Sequence, residues 1–199
     1  SSALSVVVED VDAAQGWLID GGTVAIIGAG GIADALIPML RPFGVKVIAV
    51  NRSGRAVEGA DETYPQSEAG HVWEEADAFI LAAPLTEETS GMVDAGVLAR
   101  MKRSAVVVNV GRGELIVTDD LVAALRDGEI AGAAMDVTDP EPLPDGHPLW
   151  RLPNCTITPH IAATGRIAQQ MVAPQVIANA AAFEAGERMP TDVDITLGY

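Results

Sequence analysis

Thr23-Val24-Ala25-Ile26-Ile27-Gly28-Ala29-Gly30-Gly31-Ile32-Ala33 is the stretch on which the fold turns. Val24 to Ile27 is a continuous apolar run, the pattern of a parallel strand covered on both faces. Gly28 then permits a tight turn, and Gly30 lets a pyrophosphate come close to the backbone. Ala33 is small enough for the following helix to lie against the sheet, so the run is the G-x-G-x-x-A form of the dinucleotide-binding turn. Gly31 and Ile32 open that helix, whose N-terminal amides and dipole favour an anion. A tight strand–helix turn without a ligand is the competing interpretation of the glycines alone.

On either side of this turn the chain alternates between short apolar runs and amphipathic segments. Strands are expected at Val45–Val50, Ala78–Ala82, Ala105–Val110, Ala131–Val137 and Cys155–Thr158, with a weak one near Thr63–Tyr64. Helices are expected at about Gly31–Phe43, Glu68–Asp77, Val93–Met101 and Thr118–Arg126, the last capped by Thr118 with Asp119 and Asp120 in its first turn. A long helix begins near Ala163 or Thr164, and Pro174 is expected to bend or end its first part. Pro38 likewise interrupts the bonding of the first helix at Asp34. This alternation specifies an α/β fold, a doubly wound parallel sheet. Residues 1–20 are a leading segment in which Leu4–Val8 suggests a strand and Ala13–Ile19 a helical turn. Residues 21–162 form the dinucleotide-binding domain, and 163–199 a C-terminal helical segment and tail.

Composition narrows the partners. The 199 residues are 49% hydrophobic and carry a formal charge of −16, which leaves no basic stripe for nucleic acid. No apolar run has membrane length. The acidic leading residues Glu9, Asp10 and Asp12 do not resemble a secretory signal, so a cytoplasmic location is expected. Cys155 is the single cysteine, which excludes an intrachain disulfide and a cysteine metal cluster; no metal site is expected. On so acidic a chain, an anionic ligand must be held by locally placed arginines and backbone amides.

The residues after the second strand discriminate between cofactors. An acidic residue about twenty positions past the glycine turn normally bonds the ribose hydroxyls of NAD. Here the sequence is Asn51-Arg52-Ser53. Arg52 suits a phosphate through its planar fork, and Asn51 and Ser53 add neutral donors. NADP is therefore preferred, with NAD the alternative should Arg52 be only a solvated loop residue.

Four further stretches belong together: Pro84-Leu85-Thr86-Glu87-Glu88-Thr89, Asn109-Val110-Gly111-Arg112-Gly113, Asp136-Val137-Thr138-Asp139-Pro140-Glu141-Pro142-Leu143, and Thr158-Pro159-His160-Ile161-Ala162. In this order and spacing they closely resemble the nucleotide-binding domain of the D-isomer-specific 2-hydroxyacid dehydrogenases, from Gly21 to about Gly186. The resemblance implies that Arg112 binds a substrate carboxylate, that Glu141 pairs with a catalytic His160, and that Asp136 bonds the nicotinamide carboxamide. It adds Pro84, Thr89 and Val110 to the cofactor side. It also implies a homodimer and a small 2-keto or 2-hydroxy acid as substrate.

Chemistry supports these roles independently. Reducing a 2-keto acid needs a hydride, a proton for the developing alkoxide and a cation for the carboxylate. A carboxylate beside a histidine favours the imidazolium and orients the ring for general acid catalysis, and an arginine fork matches a carboxylate. His71 and His147 have no such context and are expected to be structural. Members of this family also have a substrate-binding domain built largely from the N-terminal part of the chain, and only about twenty residues precede the nucleotide fold here. That domain is expected to be essentially absent, and the chain alone weakly active or inactive. The alternative is a non-catalytic nucleotide-binding sensor or scaffold, like the corepressors that resemble this family and can retain the same three residues.

Overall fold

In a computed structural model, residues 21–162 and 165–192 are described, the side chains of 165–171 excepted. Expectations for residues 1–20, and for the start of the last helix at Ala163 or Thr164, lie outside them. Seven strands form one sheet: β1 (Thr23–Ile27), β2 (Lys46–Asn51), β3 (Glu62–Pro65), β4 (Ala78–Leu81), β5 (Val106–Asn109), β6 (Gly132–Met135) and β7 (Cys155–Ile157). All pairings are parallel, in the order β3-β2-β1-β4-β5-β6-β7. The order reverses between β1 and β4, the crevice where open α/β sheets bind ligands.

Side-chain alternation divides the core into two layers. Val24, Ile26, Val47, Ala49 and Ala78 pack with Ala33, Ile37 and Leu40 of α1 (Gly31–Leu40). Ala25, Ile27, Ile48, Val50, Phe79, Leu81 and Val107 face the other way. They meet α2 (Val72–Glu75), α3 (Ala95–Leu98) and α4 (Thr118–Asp127) through Val72, Trp73, Leu98, Leu121 and Leu125. Trp73 stacks on Phe79 with ring centroids 5.1 Å apart, and burying a side chain such as Phe79 contributes about 1.5–3 kcal/mol.

The helices depart from the sequence expectations in informative ways. Pro38 lies within α1 without ending it; residue 38 is on the exposed side, so the lost bond falls toward solvent, and the chain tightens into a 3-10 turn only at Arg41–Phe43. The 66–75 region is a 3-10 turn followed by one α-helical turn, not a continuous helix. The expected helix at 93–101 shrinks to Ala95–Leu98 because Val93 forms a bridge with Ile116, accepting from Val117 and donating to Leu115. Asp94 caps the remaining turn by accepting from the Val97 amide at 2.9 Å. Thr118 is not a cap: Val117 occupies that position, and the Thr118 hydroxyl donates to the Asp139 carbonyl at 2.6 Å. The last helix, α5, runs Gly165–Ala185 and continues through Pro174. Among the described residues no helix is long and apolar enough to cross a membrane.

Candidate active site

Every site residue expected from the sequence lies at or just beyond the carboxyl end of a strand, or at the start of α1. Following the strand order across the sheet, the sequence segments are 51–53 after β2, 28–32 after β1, 84–89 after β4, 110–112 after β5, 136–141 after β6 and 160 after β7. Parallel pairing alone puts these termini on one edge.

The β1–α1 turn is built by close approach on one side and open space on the other. Gly28 has φ +91°, and a β-carbon there would stand 2.3 Å from the Ala83 Cα. The amides of Gly28 and Ala29 both donate to the Val50 carbonyl at 2.9 Å, which ties the turn to the end of β2. Nothing lies within 4 Å of a β-carbon built on Gly30 or Gly31. Asp34 makes the first intrahelical bond, to Gly30, so the amides of Gly31, Ile32 and Ala33 have no helical acceptor. These open glycines and unmatched amides suit a phosphate. Ala33 is fully buried against the sheet, as its small size requires.

A cleft of about 980 Å³ opens here, lined by Gly28, Gly30, Asn51, Arg52, Ser53, Pro84 and Thr89 among others. Asn51 organises its far wall: its amide nitrogen donates to the Arg55 carbonyl at 2.7 Å, and its side-chain oxygen accepts from the Ser53 amide at 3.2 Å. The turn at Gly54, φ +71°, sends Arg55 back to line the same cleft as Arg52. Arg55 was not among the residues expected from the sequence. The signal was the Arg-Ser-Gly-Arg spacing, in which the glycine reverses the chain between two guanidinium groups. Thr89 is buried and bonded within its own loop, accepting from the Thr86 amide at 2.8 Å and donating to the Pro84 carbonyl at 2.7 Å. It holds the wall that Pro84 presents.

Val110 and Asp136 lie elsewhere, lining a smaller hollow of about 270 Å³ with Thr158, Ile161 and Ala162. The Asp136 carboxylate accepts from the Thr158 hydroxyl at 2.5 Å, the Ile161 amide at 2.9 Å and the Ala162 amide at 2.8 Å. Burial opposes its ionisation, but these bonds and the nearby His160 outweigh that and hold its pKa below the usual carboxylate value.

His160 and Glu141 meet across the loops after β7 and β6, with Nδ1 and Oε1 2.7 Å apart and both side chains exposed. Arg112 is exposed after β5 and spends one bond, from Nη1, on the Gly111 carbonyl at 2.7 Å. Its turn is fixed by the fully buried Asn109, which donates to the Arg112 carbonyl at 2.8 Å and accepts from the Gly111 amide at 3.0 Å. Gly113 lets this turn press against the 136–141 loop, since a β-carbon there would stand 2.1 Å from the Thr138 carbonyl. The other histidines are occupied structurally: His147 caps the Pro148–Arg151 turn, and His71 meets the Tyr64 ring edge-on.

Residues 7–162 match the family described as D-isomer specific 2-hydroxyacid dehydrogenase, NAD binding domain. The chain belongs to this family. It is 57% identical over 190 residues to an uncharacterized protein in the proB 3′ region of Corynebacterium melassecola, covering 96% of this chain and 62% of that protein. It is 36% identical over 180 residues to glyoxylate/hydroxypyruvate reductase A of Serratia proteamaculans, covering 90% of this chain and 57% of that enzyme. The NADPH-dependent glyoxylate/hydroxypyruvate reductase of Sinorhizobium meliloti, solved with NADP and sulfate, superposes with a TM-score of 0.81 at 33% identity. That match covers 90% of this chain and 57% of that structure. The chain thus spans little more than half the length of these reductases, and its seven-stranded sheet is the nucleotide-binding part of the family fold.

Proposed function

We propose that this chain is the cofactor-binding half of a reductase that uses NADPH to reduce small 2-keto acids of the glyoxylate and hydroxypyruvate type. The observation that carries this reading is the 2.7 Å pairing of His160 with Glu141 at the same sheet edge as Arg112 and the dinucleotide cleft. Bound NADPH supplies the hydride for the keto carbon. The chain's own residues supply the rest. Glu141 accepts from Nδ1 and holds the ring, which leaves Nε2 to give a proton to the keto oxygen. Arg112 pairs its planar fork with the substrate carboxylate and so orients the ketone. The Asn51-Arg52-Ser53 turn, joined by Arg55, supports NADP over NAD because two guanidinium groups line the cleft and no carboxylate stands in the Arg52–Arg55 turn directly after β2. The same domain supplies the contact of a homodimer in this reading.

The test is to join the chain to the substrate-binding domain of a matched relative and assay glyoxylate and hydroxypyruvate with NADPH. His160→Ala is expected to lower kcat/KM by about 10²–10⁴-fold, the contribution of a general acid, while NADPH affinity stays within twofold. A loss smaller than threefold would remove His160 from the role of proton donor. A parent protein that binds NADPH yet reduces no 2-keto acid would favour a non-catalytic nucleotide sensor.

A further inference from the structure

We propose that Asp136 is a positioning residue for His160, acting through the backbone of the 158–162 segment. This inference rests on the assignment of His160 as proton donor. His160 is the one non-glycine residue with positive φ among the described residues, at +52°, a conformation that a β-carbon disfavours. Its amide donates to the Thr158 carbonyl at 3.0 Å, closing a tight turn that aims the ring at Glu141. An unusual backbone of this kind persists only where its surroundings over-determine it.

Asp136 supplies that restraint. It follows β6 directly, and its own amide donates to the Asn109 carbonyl at 3.0 Å, which fixes it to the end of β5. The residue is 9% exposed, and among the described residues the three hydrogen bonds to its carboxylate come from residues that bracket His160. Oδ1 accepts from the Thr158 hydroxyl and the Ile161 amide, and Oδ2 from the Ala162 amide. The Thr158 amide also donates to the Met135 carbonyl at 2.9 Å, so the segment is held to β6 on both sides of the histidine. A buried carboxylate accepting this many donors forms stronger bonds than a neutral acceptor would. With the clamp removed, residues 158–162 relax toward ordinary backbone and the ring leaves its setting opposite Glu141. The loss falls on proton transfer. The cleft lined by Arg52, Arg55, Pro84 and Thr89 is built by other loops.

Amide exchange in the 199-residue chain and kinetics in the chain joined to a substrate-binding domain test this together. Asp136→Asn should speed exchange at Ile161 and Ala162 at least tenfold while the β1 and β4 amides keep their protection. Thr158→Val, which leaves the carboxylate in place, should lower kcat for glyoxylate about tenfold with KM for NADPH within twofold, and Thr158→Ser should restore kcat to within twofold of the parent. Unchanged exchange in Asp136→Asn, or an unchanged kcat in Thr158→Val, would overturn the clamp. So would a rise in KM for NADPH with kcat intact, which would instead mark a direct contact with the cofactor. If exchange responds as expected but the parent reduces no 2-keto acid, the clamp stands and the proposed activity falls.

Discussion

Charge and backbone freedom are spent at a few residues, and each has a separable consequence. Gly28 and Gly30 belong to one sequence pattern yet do different work. Gly28 is required because Ala83 passes too close for any side chain, whereas Gly30 is required only if something approaches from the open side. Arg52 and Arg55 line the cleft beyond that opening, and in the proposed function they bear on cofactor choice. Arg52→Ala is expected to weaken NADP(H) binding by about 1.5–3 kcal/mol, the range for hydrogen bonds to charged groups. NAD(H), lacking the 2′-phosphate, should change by less than twofold. Arg55→Ala should give a smaller loss of the same kind, and the double substitution should bring the two cofactors to similar affinity. Titration calorimetry with both dinucleotides reads all three outcomes. Equal losses for NAD(H) and NADP(H) would show that the arginines serve the loop and not the phosphate.

The elements themselves were largely legible, and two of the exceptions, at Val93 and Thr118, share a cause. Buried parallel strands are apolar runs, so β1, β2, β4, β5 and β6 each fall within or next to the segment expected for them, as does the edge strand β7. At these two positions the helix was misjudged because a residue's partner is far away in sequence. Val93 is drawn out of a helix by Ile116, and Thr118 is taken from its cap by the Asp139 carbonyl. The same limit applied to the site: the Arg112, Glu141 and His160 motifs could be read locally, but the bonds from Asp136 to Thr158, Ile161 and Ala162 join segments more than twenty residues apart. Asp77 shows how such a long-range bond ties elements together. It accepts from the Thr23 amide at 2.9 Å and from Lys102 Nζ at 2.7 Å, so one carboxylate holds the start of β1 and the approach to β5 beside β4. Burial opposes its ionisation, but the Lys102 and Thr23 bonds prevail and its pKa lies below the usual carboxylate value. A depressed carboxylate pKa contributes stability that is fully present above the unfolded value of about 3.9 and is lost as pH falls through the folded value. Asp77→Asn should therefore lower stability at pH 7 and flatten its dependence on pH below about 4. Urea unfolding at pH 7 and pH 3 checks this; a parent and variant that lose stability in parallel would exclude Asp77 as a source of the slope.

At the scale of the whole molecule, an acidic chain has to attract an anionic cofactor. The formal charge is −16, while the charged residues lining the cleft are Arg52, Arg55, Glu87 and Glu88, which cancel. At a distance the ligand therefore meets a repulsive field, and in the proposed site the guanidinium groups and the first-turn amides of α1 would act on its phosphates only on contact. The two regimes respond oppositely to salt. The screening length is about 30 Å at 0.01 M and about 8 Å at 0.15 M, so added salt removes the long-range repulsion first. The association rate for NADPH should rise several-fold between these ionic strengths, the reverse of a cofactor steered in by a basic cleft. Dissociation should quicken as well, because Arg52 and Arg55 are exposed and their proposed contact with the phosphate would be screened. Stopped-flow measurement of NADPH fluorescence separates the two rates. An association rate that falls steadily with salt would mean that the local field of Arg52 and Arg55 reaches past the acidic surface and governs the approach.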